Sequence, residues 1–146
     1  VARIKLTLPG NSVFQTKLSV RISDINYGNH LGNDSVISLM HEARFQFYKH
    51  LGYTDELNID GVGTIQADTA IQYKGEGFHG DEITVELFIG DRTPKSMDIF
   101  YRLSKPDGDV AIGKTGIAFY NYQTQKISLM PESISAKLES LLAANQ

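Results

Sequence analysis

The stretch SDINYGNHLGNDSVISLMHEARFQFYKHLGY, residues 23–53, holds the densest chemistry in this chain. Asp24, Asn26, Asn29, His30, Asn33 and Asp34 crowd a polar turn directly ahead of a long apolar helical pattern. His30 is a group that exchanges protons near neutral pH. Gly28, Gly32 and the Asn and Asp residues permit unusual backbone angles. A helix that starts at such a turn presents unpaired N–H donors and a partial positive charge. Aimed at a carbonyl oxygen, those donors stabilise an oxyanion, and a polar side chain nearby holds a water. A plainer account stands beside this one. Asn33 or Asp34 suits an N-cap, the glycines serve the turn, and His30 is a hydrogen-bonding structural group. Glu42, inside the apolar helix, is expected to be buried and therefore to need a partner. Tethering of the His30 loop is its first expected role and direct catalysis its second.

Those residues depend on the elements around them. Phe14, Thr16, Leu18, Val20 and Ile22 alternate, which predicts a strand with one buried face. Ile4, Leu6 and Leu8 alternate until Pro9-Gly10 breaks the run. The helix is expected to run to about His50, with Gly52 as its stop. Val36, Met40, Ala43, Phe47 and Leu51 make one stripe, while Ile37, Leu39, Phe45 and Tyr48 fill other faces, so burial on most sides is expected. Residues 62–73, 83–89, 97–103 and 110–122 read as strands, and Pro106-Asp107-Gly108-Asp109 as a hairpin turn. Gly113 and Gly116 in the last of these strands predict close approach by another backbone, such as the central helix. Pro131 and Glu132 open an amphipathic terminal helix carrying Ile134, Leu138, Leu141 and Leu142. The order is strand, long helix, four strands in meander, closing helix. It predicts one α+β domain over 1–146, with an antiparallel sheet curled round a central helix.

Composition narrows the function classes. The chain has 146 residues, a net charge of -3 and no Cys. Disulfides, thiolate metal sites and a Cys nucleophile are excluded. The charge gives no reason to expect nucleic acid or an anionic membrane as a partner. No apolar run has the length of a membrane span and no signal-like segment opens the chain, so a cytoplasmic location is expected. His41, His50 and His79 are too scattered to suggest a metal site.

The turn and helix together resemble the hot-dog-fold thioesterases, both the 4-hydroxybenzoyl-CoA thioesterase-like group and the acyl-carrier-protein thioesterases. Their pattern Asp-x-Asp-x-x-Gly-His-Val-Asn-Asn lies without gaps on Asp24 to Asn33. His30 takes the His place, Leu31 the Val, Asn33 the second Asn, and "HEAR" at 41–44 the helix segment. The resemblance implies hydrolysis of an acyl-CoA or acyl-carrier-protein thioester, no cofactor beyond the substrate's own CoA, and a homodimer or homotetramer with active sites at a dimer interface. The catalytic Asp of the pattern falls on Asn26, which is not a carboxylate base. The resemblance then leaves Asn26, His30 and Glu42 as catalytic candidates, with Asp24 and Asp68 as alternative acids. Gly32 and Asn33 would polarise the carbonyl, and Arg92, Lys95 and Lys74 are candidates for the CoA phosphates. Two other readings remain. The hot-dog enoyl hydratases carry Asp-x-Asn-Pro-x-His, to which Asp24–His30 adds one residue and puts Tyr27 for Pro. A non-catalytic acyl-CoA-binding protein would need no acid at 26.

Overall fold

Alternating apolar residues form strands where one of their faces can be covered, and here a single helix covers them. The computed structural model describes residues 1–146. β1 (Phe14–Ser19) leads through a 3-10 turn (Ile22–Asp24) to α1 (Asn33–His50). There follow β2 (Gly63–Tyr73), β3 (Glu82–Thr93), β4 (Ser96–Lys105), β5 (Gly108–Asn121), a two-residue β6 (Lys126–Ile127) and α2 (Glu132–Ala144). This is the expected α+β class with a central and a C-terminal helix.

The sheet is antiparallel in the order β1-β3-β4-β5-β2, with β6 on β5. The expected meander therefore holds only for β3, β4 and β5. α1 lies between β1 and β2 in the chain and crosses the sheet. Hence β2 re-enters at the far edge beside β5, and β1 occupies the free side of β3. Residues 4–8 form no strand; Leu6 N–H instead donates to Gln72 Oε1 at 3.2 Å. Gly108 has φ +149 in the β4–β5 hairpin, as its turn position requires.

Val36, Met40, Ala43, Phe47 and Tyr48 of α1 pack with Leu87, Ile99, Tyr101, Leu103 and Phe119 in one apolar core. Met40 meets β5 at Gly113, where an added Cβ would lie 2.6 Å from Met40 Sδ. Of the two glycines expected to mark close approach, Gly113 thus meets the helix, whereas Gly116 faces the Asp68 carboxylate of β2. The helix is not covered on most sides, however. Ile37, Ser38, His41 and Glu42 are exposed, so α1 keeps an open face. Its N-cap is Gly32, with no side-chain cap, because Asn33 and Asp34 already lie in the helix. Gly52, at φ +99, follows its last turn. α2 starts after Pro131 and buries Ile134 and Leu138. No helix is long and apolar enough to cross a membrane.

Candidate active site

Short polar side chains shape the turn ahead of α1 by bonding to its own backbone. Asn26 Oδ1 accepts from Gly28 N–H at 2.9 Å and His30 N–H at 3.2 Å. Asn26 N–H donates to the His30 carbonyl, and Asn29 takes φ +64 to close the loop. Asp24 is buried, and its Oδ2 accepts from Arg21 N–H at 2.8 Å. Its carbonyl accepts from Gly32 N–H at 2.9 Å. Asp24 thus anchors the turn, and the Gly32 donor expected to polarise a carbonyl is already spent. Among the first backbone donors of α1, Asn33 and Asp34 N–H make no hydrogen bond within the chain. With the helix dipole they offer hydrogen-bond donors at the head of α1, where the Asp34 carboxylate also lies, close to Gly32.

His30 lies three residues before Asn33 in the same turn. Leu31 N–H donates to the Gly77 carbonyl at 2.7 Å, which fixes the turn to the loop after β2. That loop brings Phe78 under the imidazole, with ring centroids 5.1 Å apart. It also sets Glu76 Oε2 3.6 Å from His30 Nδ1. Nδ1 is shielded from solvent and has no hydrogen-bond partner, so the Glu76 carboxylate is the group that faces it. Nε2 is then the ring nitrogen left for exchange with a substrate or water. Tyr73 OH donates to the Asn33 carbonyl at 2.9 Å and links β2 to the head of α1. Burial, then the Asp34 charge, holds the Tyr73 phenol above its ordinary pKa, so it remains a donor.

The structure does not gather the other expected residues here. Glu42 is exposed and accepts from Gln46 Nε2 at 3.1 Å. It lies nine residues into α1, roughly 13 Å along the axis from the helix start, and does not brace the His30 loop. The apolar flanks suggested burial, but Glu42 lies on the open face. Asp68 sits at the β2 bulge, where its Oδ1 accepts from Lys114 Nζ at 2.8 Å and Gly116 N–H at 2.9 Å. Chiefly the Lys114 hydrogen bond holds this carboxyl below the usual range. Arg92 pairs with Glu139 of α2 at 2.7 Å, and Lys95 lies in the β3–β4 turn. Both are at the far end of β3 from the His30 loop, a strand length of roughly 30 Å away.

Sequence reasoning missed Glu76 and Phe78. The run Gly75-Glu76-Gly77 marks a turn, but only the Leu31–Gly77 bond shows where that turn docks. Lys74 and Lys105 lie at this end of the sheet on the rim of a cavity. Lys105 is held by Asp81 at 3.1 Å and lies over Phe78. With Glu76, Asp107 and Asp109 they line this cavity of about 600 Å³, whose acids outnumber its lysines.

Comparisons with known proteins place this geometry in context. No curated protein matches the sequence. A hypothetical protein from Staphylococcus aureus, solved in complex with CoA, is 21% identical with TM-score 0.83, covering 97% of this chain and 90% of its own. A gentisyl-coenzyme A thioesterase is 18% identical with TM-score 0.76, over 84% of this chain and 98% of its own. A 1,4-dihydroxy-2-naphthoyl-CoA thioesterase from Synechocystis is 15% identical with TM-score 0.73, over 89% and 95%. At such identities the likeness establishes the shared hot-dog fold. The model of the thioesterase-like superfamily matches residues 20–138, from the end of β1 into α2, and spans the His30 turn, α1 and all strands of the wrapped sheet except β1. The chain therefore belongs to the thioesterase-like superfamily.

Proposed function

We propose that the protein is a cytoplasmic acyl-thioester hydrolase, releasing a free acid and a thiol from an acyl-CoA or an acyl carrier protein. The observation that carries this reading is the approach of Glu76 to His30, in the turn that leads into the free N–H groups of Asn33 and Asp34. His30 Nε2 takes a proton from water as the water oxygen bonds to the thioester carbonyl carbon. The carbonyl oxygen becomes an oxyanion, held by the two N–H groups at the helix start. Collapse breaks the C–S bond, and the imidazolium returns its proton to the departing sulfur. Glu76 orients the ring and offsets its charge while it is protonated. Asn26, with Oδ1 committed to the turn, presents Nδ2 to the water or the carbonyl. Glu42 is too far along α1 for this His30, so a catalytic role for it requires the turn of a second copy.

Superfamily membership supports thioester chemistry, and the CoA complex and CoA-thioesterase names of the structural neighbours support CoA as the leaving group. The free edge of β2 supports a homodimer, because only one side of that strand is paired. Its sequence GTIQADTAIQY carries no Pro or Lys to block further pairing.

A second reading, a non-catalytic acyl-CoA-binding protein, is favoured by the amide at 26, whose oxygen already serves the turn. Incubation with a panel of acyl-CoAs and a thiol-reactive dye separates the two. Free CoA appearing with turnover supports hydrolysis. Tight binding without thiol release supports the binding protein. Loss of enoyl-CoA absorbance without thiol release would indicate a hydratase.

A further inference from the structure

A second polar cluster lies on α1, away from the His30 turn. Arg44 is buried, and its Nε donates to Glu56 Oε1 at 2.6 Å. Nη1 donates to Tyr101 OH at 3.1 Å, and that hydroxyl lies 2.7 Å from Thr115 Oγ1. His41 Nε2 is 3.2 Å from the other Glu56 oxygen. Burial works against the Arg44 charge, but Tyr101 and Glu56 outweigh it, so its pKa is raised and the guanidinium stays ionised. Arg44 Nη2 makes no hydrogen bond in the chain and is not sealed off. Replacing a buried ion pair by apolar residues is often neutral or stabilising, so this pair is weak evidence of stabilisation.

The cluster forms one wall of a cavity of about 440 Å³ between α1 and β2. Ile37, Met40, Leu57 and Ile65 supply its apolar surface. From Asn33 at the helix head, His41 and Arg44 are eight and eleven residues along α1, a rise of roughly 12–16 Å. A thioester carbonyl at the Asn33 and Asp34 N–H groups would direct its acyl chain along this groove. An acetyl group or a single ring ends short of the cluster; a medium-length chain reaches it. The charges of Arg44 and Glu56 cancel, so a carboxylate entering there would meet Glu56, whereas a hydroxyl can accept from Arg44 Nη2 and donate to the carboxylate.

We propose that this cavity receives the acyl group and that Arg44, Glu56 and His41 select a medium-chain acyl group bearing an uncharged oxygen, a hydroxyl, toward its far end. The assignment rests on the proposed thioester position at the head of α1, but its test reads binding and not turnover. Calorimetry with non-hydrolysable thioether analogues of decanoyl-CoA, 10-hydroxydecanoyl-CoA and decanedioyl-CoA should show the hydroxy ligand binding about tenfold or more tightly than the decanoyl one. It should also bind more tightly than the carboxylate ligand. The double variant Arg44→Met/Glu56→Leu removes both charges without orphaning either and should abolish the preference. His41→Leu, at an exposed position, should reduce it severalfold even where the double variant does not fold. Equal or tighter binding of the decanoyl or decanedioyl analogue by the natural protein would overturn the assignment, as would an undiminished preference in His41→Leu. The preference without thiol release from the thioesters themselves would keep this pocket assignment while removing the hydrolase reading.

Discussion

Asn26 uses its oxygen on the Gly28 and His30 N–H groups, leaving only Nδ2 to face outward. An Asp at 26 preserves both acceptor contacts and replaces that nitrogen with an oxygen able to act as a base. Asn26→Asp is therefore expected to keep the fold and raise thiol release severalfold, measured under saturating acyl-CoA. A collapse in rate would mean that the site depends on the amide nitrogen. Glu76 acts through His30 and not on the substrate. Glu76→Gln should lower kcat by roughly tenfold with little change in KM, and Glu76→Asp should restore part of the loss. The two acids show where reading residues by type stops. Glu42 stood among apolar neighbours and suggested a buried brace, whereas Glu76, in a glycine-flanked loop, carried no such signal. Which of them meets His30 is decided by the docking of the β2–β3 loop on Leu31, a tertiary fact.

At the scale of elements, period-two alternation located β1, β3 and β4, and the Gly52 end of α1 followed from turn chemistry, whereas its cap is Gly32 and not the expected Asn33 or Asp34. Beyond the β3–β4–β5 meander, strand partners were not legible. β2 and β3 are neighbours in sequence, but α1 crosses the sheet and sets β2 against β5. Gly113 was legible because a glycine within an apolar strand has few other reasons to be there. Gly113→Ala is expected to cost about 1–3 kcal/mol in chemical denaturation, since its Cβ would displace the fully buried Met40. Met40→Ala alone should cost about 2–5 kcal/mol, and the two changes together should cost less than their sum, because the smaller side chain relieves the clash. The β2 bulge gives a pH-dependent prediction. Asp68 has its pKa lowered in the folded state, so its stabilisation is present above the ordinary Asp value of about 3.9. That stabilisation is lost as pH falls through the lower folded value. Asp68→Asn should thus be less stable than the natural protein at pH 7, and the difference should vanish in strongly acidic buffer.

At the scale of the whole molecule, one helix and one sheet form a half-open arrangement. α1 leaves Ile37, Ser38 and Glu42 exposed, and β2 leaves an edge free. Both features fit a second copy joined through β2, which would extend the sheet and cover the α1–β2 groove. Light scattering is expected to give twice the chain mass of 16.2 kDa or a multiple of it. The polar turn carries an imidazole facing a carboxylate, and it leads into the head of α1, whose first N–H donors are free. The most direct test of that account is the rate of CoA release from a bound acyl-CoA by the natural protein and by His30→Ala, with acyl-CoA affinity and thermal stability measured on both. The account predicts catalytic release by the natural protein and a loss of about 10²–10⁴-fold in His30→Ala with affinity and stability kept. Equal rates in the two proteins would contradict it.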